Sequence, residues 1–350
     1  MKSIAVIDFI LITIPMGKIT RIKDVARAAN VSPATVSRVL SNKGQVRLST
    51  KKKVLEVVDA LGYQPSRVAR SLRVRSSQII GLIVSDVQNP FFTMLVRAVE
   101  DLAYQNGFAI FLCNTDENTV KESLYIDLMI SEQVAGVILT PTREVGSYCR
   151  KLIEAKIPVV SVDRRVLDCS IDTVVVDNKG GAFEATSYLI KLGHCRIGAI
   201  FGHPELTTGR ERYEGYAAAL SFHGIPENPE WVKFGKPSIE TGLEMGRLVL
   251  SSANRPTAVF TGNNLITVGF LQAVREAHLV IPEDISLIAF DDFVWGSLIQ
   301  PPLTVIAQPT YDLGRISADI IMRRIKGDDS CFETIVLPTE LKIRESVRKL

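Results

Sequence analysis

The chain has 350 residues, enough for more than one core, and its 46% hydrophobic and 23% charged content is that of a globular protein, not a disordered or fibrous one. A net charge of +3 conceals an asymmetry: residues 18–75 hold fourteen Lys or Arg against three acids, a net +11, while residues 1–17 cancel and residues 76–350 carry −8. A small basic head on an acidic body points to a polyanionic partner for the head alone.

Residues 1–17 contain an apolar run, Ile4–Ile14, too short to cross a bilayer and followed by no small-x-small cleavage site. The stretch reads as an N-terminal extension, with Met16 as an alternative start. Residues 18–64 read as three short helices. Ile22, Val25, Ala26 and Ala29 recur at helical spacing. Ser32 is placed to cap a second helix with Pro33 at its first position, and Val36, Val39 and Leu40 face inward. Asn42-Lys43-Gly44 is a turn. A third helix near Thr50–Leu61 carries Val54, Leu55, Val58 and Leu61 on one face and stops at Gly62. Because Arg47 stands ahead of it, with Ser49 and Thr50 later, that helix is expected to start late. Two helices joined by a tight turn over a third make a minimal helix-turn-helix. Residues 65–77 form a polar linker able to make one or two helical turns, too short to persist alone.

From Ile79 apolar runs of four to six residues alternate with amphipathic stretches. The first series runs from Ile79–Val84 to Val159–Val162 and includes a helix over Glu144–Ala155. The second opens on Thr173–Val176 and ends at Ser286–Phe290. Gly107 and Gly193 stand at helix ends. Two such series predict two doubly wound α/β lobes with parallel sheets, and ligands in such folds lie beyond the strand C-termini, between lobes in particular. The five cysteines are scattered without C-x-x-C spacing, as in a cytoplasmic chain of reduced thiols. No Gly-x-Gly-x-x-Gly, Walker loop or Gly-x-Ser-x-Gly elbow is present, which argues against an enzyme. No cofactor and no metal site is expected.

Four blocks in order, Ile22–Ala26, Val31–Leu40, Leu61–Pro65 and Ala69–Leu72, closely resemble the lactose-repressor (LacI/GalR) family. Weaker markers continue through Asn89–Phe92, Val162–Arg164, Leu192–His194, Ile281–Ser286 and Phe290–Asp292, so the resemblance covers about residues 20–346. It implies a transcriptional repressor with an all-α helix-turn-helix over 18–64, a hinge helix within 65–77, and a core of the periplasmic-binding-protein fold over 78–350. The N-lobe is expected at 78–176 and 309–335, the C-lobe at 177–308 and 336–347. The partners implied are palindromic operator DNA, a second copy of the chain in a dimer, and a small-molecule effector, with no membrane.

The resemblance puts the second helix in the major groove, where Pro33 and Ala34 offer apolar contacts and Arg38 a fork for guanine or a phosphate. Ser32, Thr35 and Ser37 suit capping and phosphates. In the hinge, Leu72 would wedge into the minor groove, with Ala69 close to the groove and Arg73 reaching an edge or phosphate. The effector sites fall by position on Phe91, Phe92, Asp163, Arg212, Asn263 and Asp291, with Trp295 as a stacking face. Phe91 or Phe92 can equally be core, Asp163 and Arg164 a structural ion pair, and Arg210 surface. Leu206 stands where the purine-responsive relative carries an arginine. These residue types suit a sugar, sugar acid or sugar phosphate.

Overall fold

The computed structural model describes residues 21–40, 46–63, 77–145 and 148–350. The chain falls into two compact units, Met1–Arg75 and Ser76–Leu350. Helices α1 (Ile22–Ala29), α2 (Pro33–Leu40) and α3 (Leu48–Ala60) make up the first unit. Asp24 accepts the Arg21 N–H at 2.9 Å at the start of α1, and Asn30 ends that helix in the left-handed region at φ 52°. Ser32 Oγ accepts the Thr35 N–H at 3.1 Å, which caps α2. Val25, Val36 and Val54 are fully buried where the three helices meet.

Two expectations for α3 are corrected. It starts at Leu48, earlier than expected, and Arg47 at its N-cap makes no side-chain cap. Leu55 and Leu61 are exposed, because Val54 with half-buried Val57 and Val58 closes this small core. The turn Asn42-Lys43-Gly44, the extension 1–17 and most of the hinge lie outside the described residues.

The second unit runs β1 (Ile79–Val84), α4 (Pro90–Gln105), β2 (Ala109–Asn114), α5 (Thr119–Ser131), β3 (Gly136–Leu139), α6 (Tyr148–Glu154), β4 (Val159–Val162) and β5 (Asp172–Val176). It continues with α7 (Asn178–Lys191), β6 (Ile197–Phe201), α8 (Thr207–Phe222), β7 (Val232–Phe234), α9 (Ile239–Leu250), β8 (Ala258–Thr261), α10 (Asn264–Glu276) and β9 (Ser286–Phe290). A 3-10 turn, Val294–Ser297, leads to β10 (Thr304–Ala307), α11 (Thr310–Ile325), β11 (Thr334–Leu337) and β12 (Glu340–Lys342). One sheet has the order β11-β5-β4-β3-β1-β2, all parallel. The other has the order β12-β10-β9-β8-β6-β7, with only β12 antiparallel.

The central strands of each sheet, β1, β3, β4 and β5 in one and β6, β8, β9 and β10 in the other, are buried on both faces and read as near-continuous apolar runs, whereas the edge strands are partly exposed. Strand β5 opens the second series of apolar runs but falls in the N-lobe range 78–176 that the resemblance implies, and it pairs with β4 and β11 in the first sheet, in keeping with that range. The last return to the second sheet falls after Leu337, not after 335, because Leu337 still pairs with Val176. Gly107 and Gly193 follow α4 and α7 at φ 77° and 97°, the left-handed stops their positions predict. Among the described residues no helix is long and apolar enough to cross a membrane.

Candidate DNA-reading helix and effector cleft

In the first unit Pro33, Ala34 and Arg38 of α2 are exposed, Thr35 and Ser37 half-buried, and Val36 and Val39 buried. The apolar side of α2 is thus spent on packing, and the side bearing Pro33, Ala34 and Arg38 is the one a DNA groove would meet. Ser32 is tied to Thr35, side chain to side chain at 2.9 Å, so its capping role is realised. Ala69, Leu72 and Arg73 lie outside the described residues.

In the second unit the strand C-termini converge on a cleft between the two sheets. Its empty space is about 700 Å³ including the part open to solvent. Phe91, Phe92, Asp163, Arg212, Asn263 and Asp291 all line it. Asn89 caps α4 by accepting the Phe91 N–H at 2.9 Å and so aims the two rings. Phe91 and Phe92 meet edge to face at 5.0 Å, and both serve the core and the cleft wall at once. Asp163 and Asp291 follow β4 and β9 at φ 70° and 80°, a conformation non-glycine residues rarely adopt. Such strain collects at functional sites.

Arg212 of α8 is buried. Its Nε donates to Asn178 Oδ1 at 2.8 Å, one terminal nitrogen donates to the Gly262 carbonyl at 2.5 Å, and its guanidinium lies 3.7 Å from the Phe290 ring centroid. These contacts fix the plane of the fork. Asp291 accepts the Asn264 N–H at 3.1 Å and a donor of the Gln308 amide. Asn263 Oδ1 accepts the Ile266 N–H at 2.8 Å as the cap of α10, which leaves its amide donors for a ligand.

Trp295 is corrected. It is not among the cleft-lining residues; it stands 38% exposed with its ring 3.8 Å from that of Phe293. Phe293 is the buried member of that pair and anchors the 3-10 turn in the C-lobe core. The reading of Asp163 and Arg164 as a self-contained ion pair also changes. They stand 3.6 Å apart, while Arg164 forks onto Glu117 at 2.6 and 2.7 Å. Arg164, Glu117 and Gln308 were not singled out as effector residues, although all three line the cleft. Arg164 Nε and Gln308 Oε1 are buried without a hydrogen-bond partner, and buried polar atoms of this kind call for a ligand or water. The run Val162-Asp163-Arg164 could have flagged Arg164, whereas Glu117 and Gln308 come from distant loops that carry no local signal.

A second group of charges spans the lobes beside the cleft. Glu144, expected inside a helix, lies instead in the loop after β3 and is buried. Arg210 of α8 forks onto it at 2.8 Å through both terminal nitrogens, and Thr207 Oγ1 donates to it. Arg165 adds a backbone N–H to Thr207 Oγ1 at 3.0 Å and its Nε to Glu211 at 3.2 Å. Arg210 is therefore an interlobe contact and not free surface. If this latch holds the closed form, Glu144→Ala should lower effector affinity about tenfold, the worth of one good charge-assisted contact. It should also enlarge the radius of gyration of the ligand-free protein in solution scattering. An unchanged radius and affinity would remove the latch from the account.

Burial pushes Asp163 up to about 6; Arg164 and Arg212 oppose it, while Asp291 and Glu117 push the same way. Burial likewise pulls Arg212 below the ordinary guanidinium value, against Asp291 and Asp163. A folded-state value above the unfolded one means that Asp163 stabilises the fold in full only below about pH 4, its unfolded value, and loses that contribution as pH rises through about 6. Asp163→Asn should therefore stabilise the protein at pH 7.5 by about 3 kcal/mol. The gain should shrink as pH falls from 6 towards 4, read by thermal melts across that range. A gain independent of pH would contradict this assignment. Among the described residues no group of three or more His, Cys, Asp or Glu could hold a metal ion.

A helix-turn-helix unit followed by two doubly wound lobes around a polar cleft defines a ligand-responsive DNA-binding regulator. Comparison with known proteins agrees. Residues 21–66 match the model of bacterial regulatory proteins of the lacI family, and residues 186–347 match the periplasmic binding protein-like domain. The chain is 35% identical to the HTH-type transcriptional repressor PurR of Photobacterium profundum, over 94% of this chain and 99% of that one. It resembles the Lac repressor dimer bound to operator and the anti-inducer ONPF, with a TM-score of 0.83 and 25% identity over 95% of this chain and all of that one. It also resembles a LacI family regulator from Enterococcus faecium with bound ribose, with a TM-score of 0.71 and 30% identity over 78% of this chain and 99% of that one. The chain belongs to the lacI family of transcriptional regulators.

Proposed function

We propose that this regulator is a cytoplasmic repressor that binds a palindromic operator as a dimer and is controlled by a neutral sugar of the ribose class held between its lobes. The observation that carries the sugar reading is the arrangement of Asp163 and Asp291 around Arg212, whose guanidinium stands 3.7 Å over the Phe290 ring. Carboxylates accept hydroxyl hydrogens, the guanidinium donates to hydroxyl oxygens, and Phe91 and Phe92 offer an apolar wall. Charge narrows the class. The lining carries five carboxylates, Asp86, Asp116, Glu117, Asp163 and Asp291, against Arg164, Arg212 and Lys236. A sugar acid or phosphate would add negative charge to a site already in deficit of cations, which disfavours those two members of the wider expectation. The ribose-bound relative supports the choice of sugar, and Leu206 at the cleft wall argues against a purine.

On the DNA side, Pro33 and Ala34 would touch base edges in the major groove, Arg38 a guanine, and Thr35 and Ser37 phosphates, with Leu72 as the minor-groove wedge between Ala69 and Arg73. The domains fall at 18–64 for the head, 65–77 for the hinge and 78–350 for the core. Titration calorimetry with ribose, other neutral pentoses and hexoses, ribose 5-phosphate and gluconate tests the effector class. The expected result is binding of ribose and at least tenfold weaker binding of the anions. Tighter binding of an anion would overturn the neutral-sugar reading.

A further inference from the structure

The loop after β2 spends unusual backbone geometry on one side chain. Asp116 and Glu117, neither of them glycine, stand at φ 53° and 61°, a region that costs energy for L-residues. The loop is held by the Thr115 N–H on the Val84 carbonyl at 2.9 Å and by Asn118, which closes back onto the Thr115 carbonyl at 2.9 Å. This geometry carries the Glu117 carboxylate to both terminal nitrogens of Arg164, at 2.6 and 2.7 Å. The Pro141 carbonyl takes a further Arg164 N–H at 3.0 Å. Arg164 is 4% exposed, so its position is decided by these partners. Only Nε is left without a hydrogen bond, and Nε stands 3.6 Å from Asp163 Oδ2, beyond hydrogen-bond reach.

We propose that Glu117 is a positioning residue for effector selection: by taking both terminal nitrogens of Arg164 it keeps Nε 3.6 Å from Asp163 Oδ2, close enough to attract and too far to hydrogen-bond, so that a donor and an acceptor stand side by side on the cleft wall. A single hydroxyl fits that pair, donating its hydrogen to Asp163 and accepting from Arg164 Nε. A ligand lacking that hydroxyl would leave a buried carboxylate and a buried guanidinium nitrogen unsatisfied, and sites built this way reject the deficient analogue strongly. Without the Glu117 charge, Arg164 would turn onto Asp163, its nearest remaining carboxylate. The donor and acceptor would then satisfy each other, and selectivity for the hydroxyl would be lost.

Burial raises the Glu117 carboxyl, but the Arg164 charge and hydrogen bonds more than offset it and leave it below the ordinary carboxylate range, so Glu117 is ionised in the site. The charged groups facing Asp163 are Arg164 on its own loop, Arg212 from α8, Asp291 after β9 and Glu117 after β2.

The test uses the full chain with Glu117→Gln, which keeps the shape and removes the charge, and Arg164→Lys, which keeps the charge and removes the fork. Calorimetry with ribose and its monodeoxy analogues reads selectivity; this arm rests on the sugar reading. In the wild type one analogue should bind about 100-fold more weakly than ribose. Both variants should bring that ratio down at least tenfold. The ligand-free protein supplies an independent arm through the titration midpoint of Asp163, followed by carbon-13 carboxyl resonances. Glu117→Gln should lower that midpoint by more than the loss of Glu117's own repulsion, so that the fall is clearly larger in the wild-type background than in an Arg164→Ala background, where only the repulsion is removed. If the wild type binds no sugar of the series while the midpoint falls by that larger, Arg164-dependent amount, the positioning role stands and the sugar reading fails. If the variants weaken all sugars by one common factor, or leave the midpoint in place, the positioning role is overturned.

Discussion

Replacing Arg212 with alanine is expected to abolish the response to effector while operator binding by the head survives. The guanidinium interacts with both Asp163 and Asp291 in the cleft, and its three contacts to Asn178, Gly262 and Phe290 leave no freedom to serve elsewhere. Its loss strands Asn178 Oδ1 and the Gly262 carbonyl, and it removes a compensating charge from buried Asp291 and leaves buried Asp163 with Arg164 alone. Breaking a buried pair in this way costs about 3–5 kcal/mol. Effector affinity should fall at least 100-fold, about 3 kcal/mol. Part of the cost should appear as a lower melting temperature that recovers at mildly acidic pH, where Asp163, with its value of about 6, takes up a proton. Arg212→Lys should keep the charge but lose the fork and the stacking, and should fall between the wild type and alanine. Wild-type affinity in Arg212→Ala would show that the cleft does not hold the effector.

The second large effect concerns stability. Helices α9 and α10 pack through reciprocal glycines. A Cβ on Gly269 would lie 2.0 Å from the Ile239 carbonyl oxygen and 2.5 Å from the Leu243 nitrogen, and one on Gly242 would lie 2.2 Å from the Ile266 carbonyl oxygen. Both obstacles are backbone, so no rotamer change relieves them and the helices must part. Gly269→Ala should cost about 3 kcal/mol or more and lower the melting temperature by roughly 5–10 °C. Gly202→Ala, whose Cβ would meet nothing nearer than 3.9 Å, should melt like the wild type. Equal melting of the two variants would contradict this account of C-lobe packing.

Much of the fold was legible because the sequence repeats one physical unit. A four- to six-residue apolar run can be buried on both faces only in a covered parallel sheet, and Gly107 and Gly193 mark where the intervening helices stop. Ser32 followed by Pro33 carries the start of α2 on its face. Sheet membership was not legible from the apolar runs themselves: Thr173–Val176 is apolar enough for either sheet, and only the N-lobe range implied by the family resemblance placed it beside β4 and β11. The helix expected from Glu144 was misplaced because α6 begins only at Tyr148 and Glu144 is drawn to Arg210 of the other lobe, 66 residues away. Leu55 and Leu61 read as core by spacing, but a three-helix unit has too little interior for every apolar position. In the cleft, residues directly after strand ends were found from the sequence, whereas Glu117 acts through Arg164 at a separation of 47 residues. Trp295 had the right loop and the wrong orientation.

The central claim is that a neutral sugar in the cleft governs the head. Fluorescence anisotropy on an operator selected by the protein from random DNA, at fixed salt and with rising ribose, tests it most directly. Linkage requires that a ligand controlling the repressor change operator affinity by its own preference between the two states. The account predicts at least a tenfold change in operator affinity at ribose concentrations that saturate the cleft, no change with ribose 5-phosphate, and no change with either in Arg212→Ala. An operator affinity unmoved by ribose that fills the cleft would contradict it.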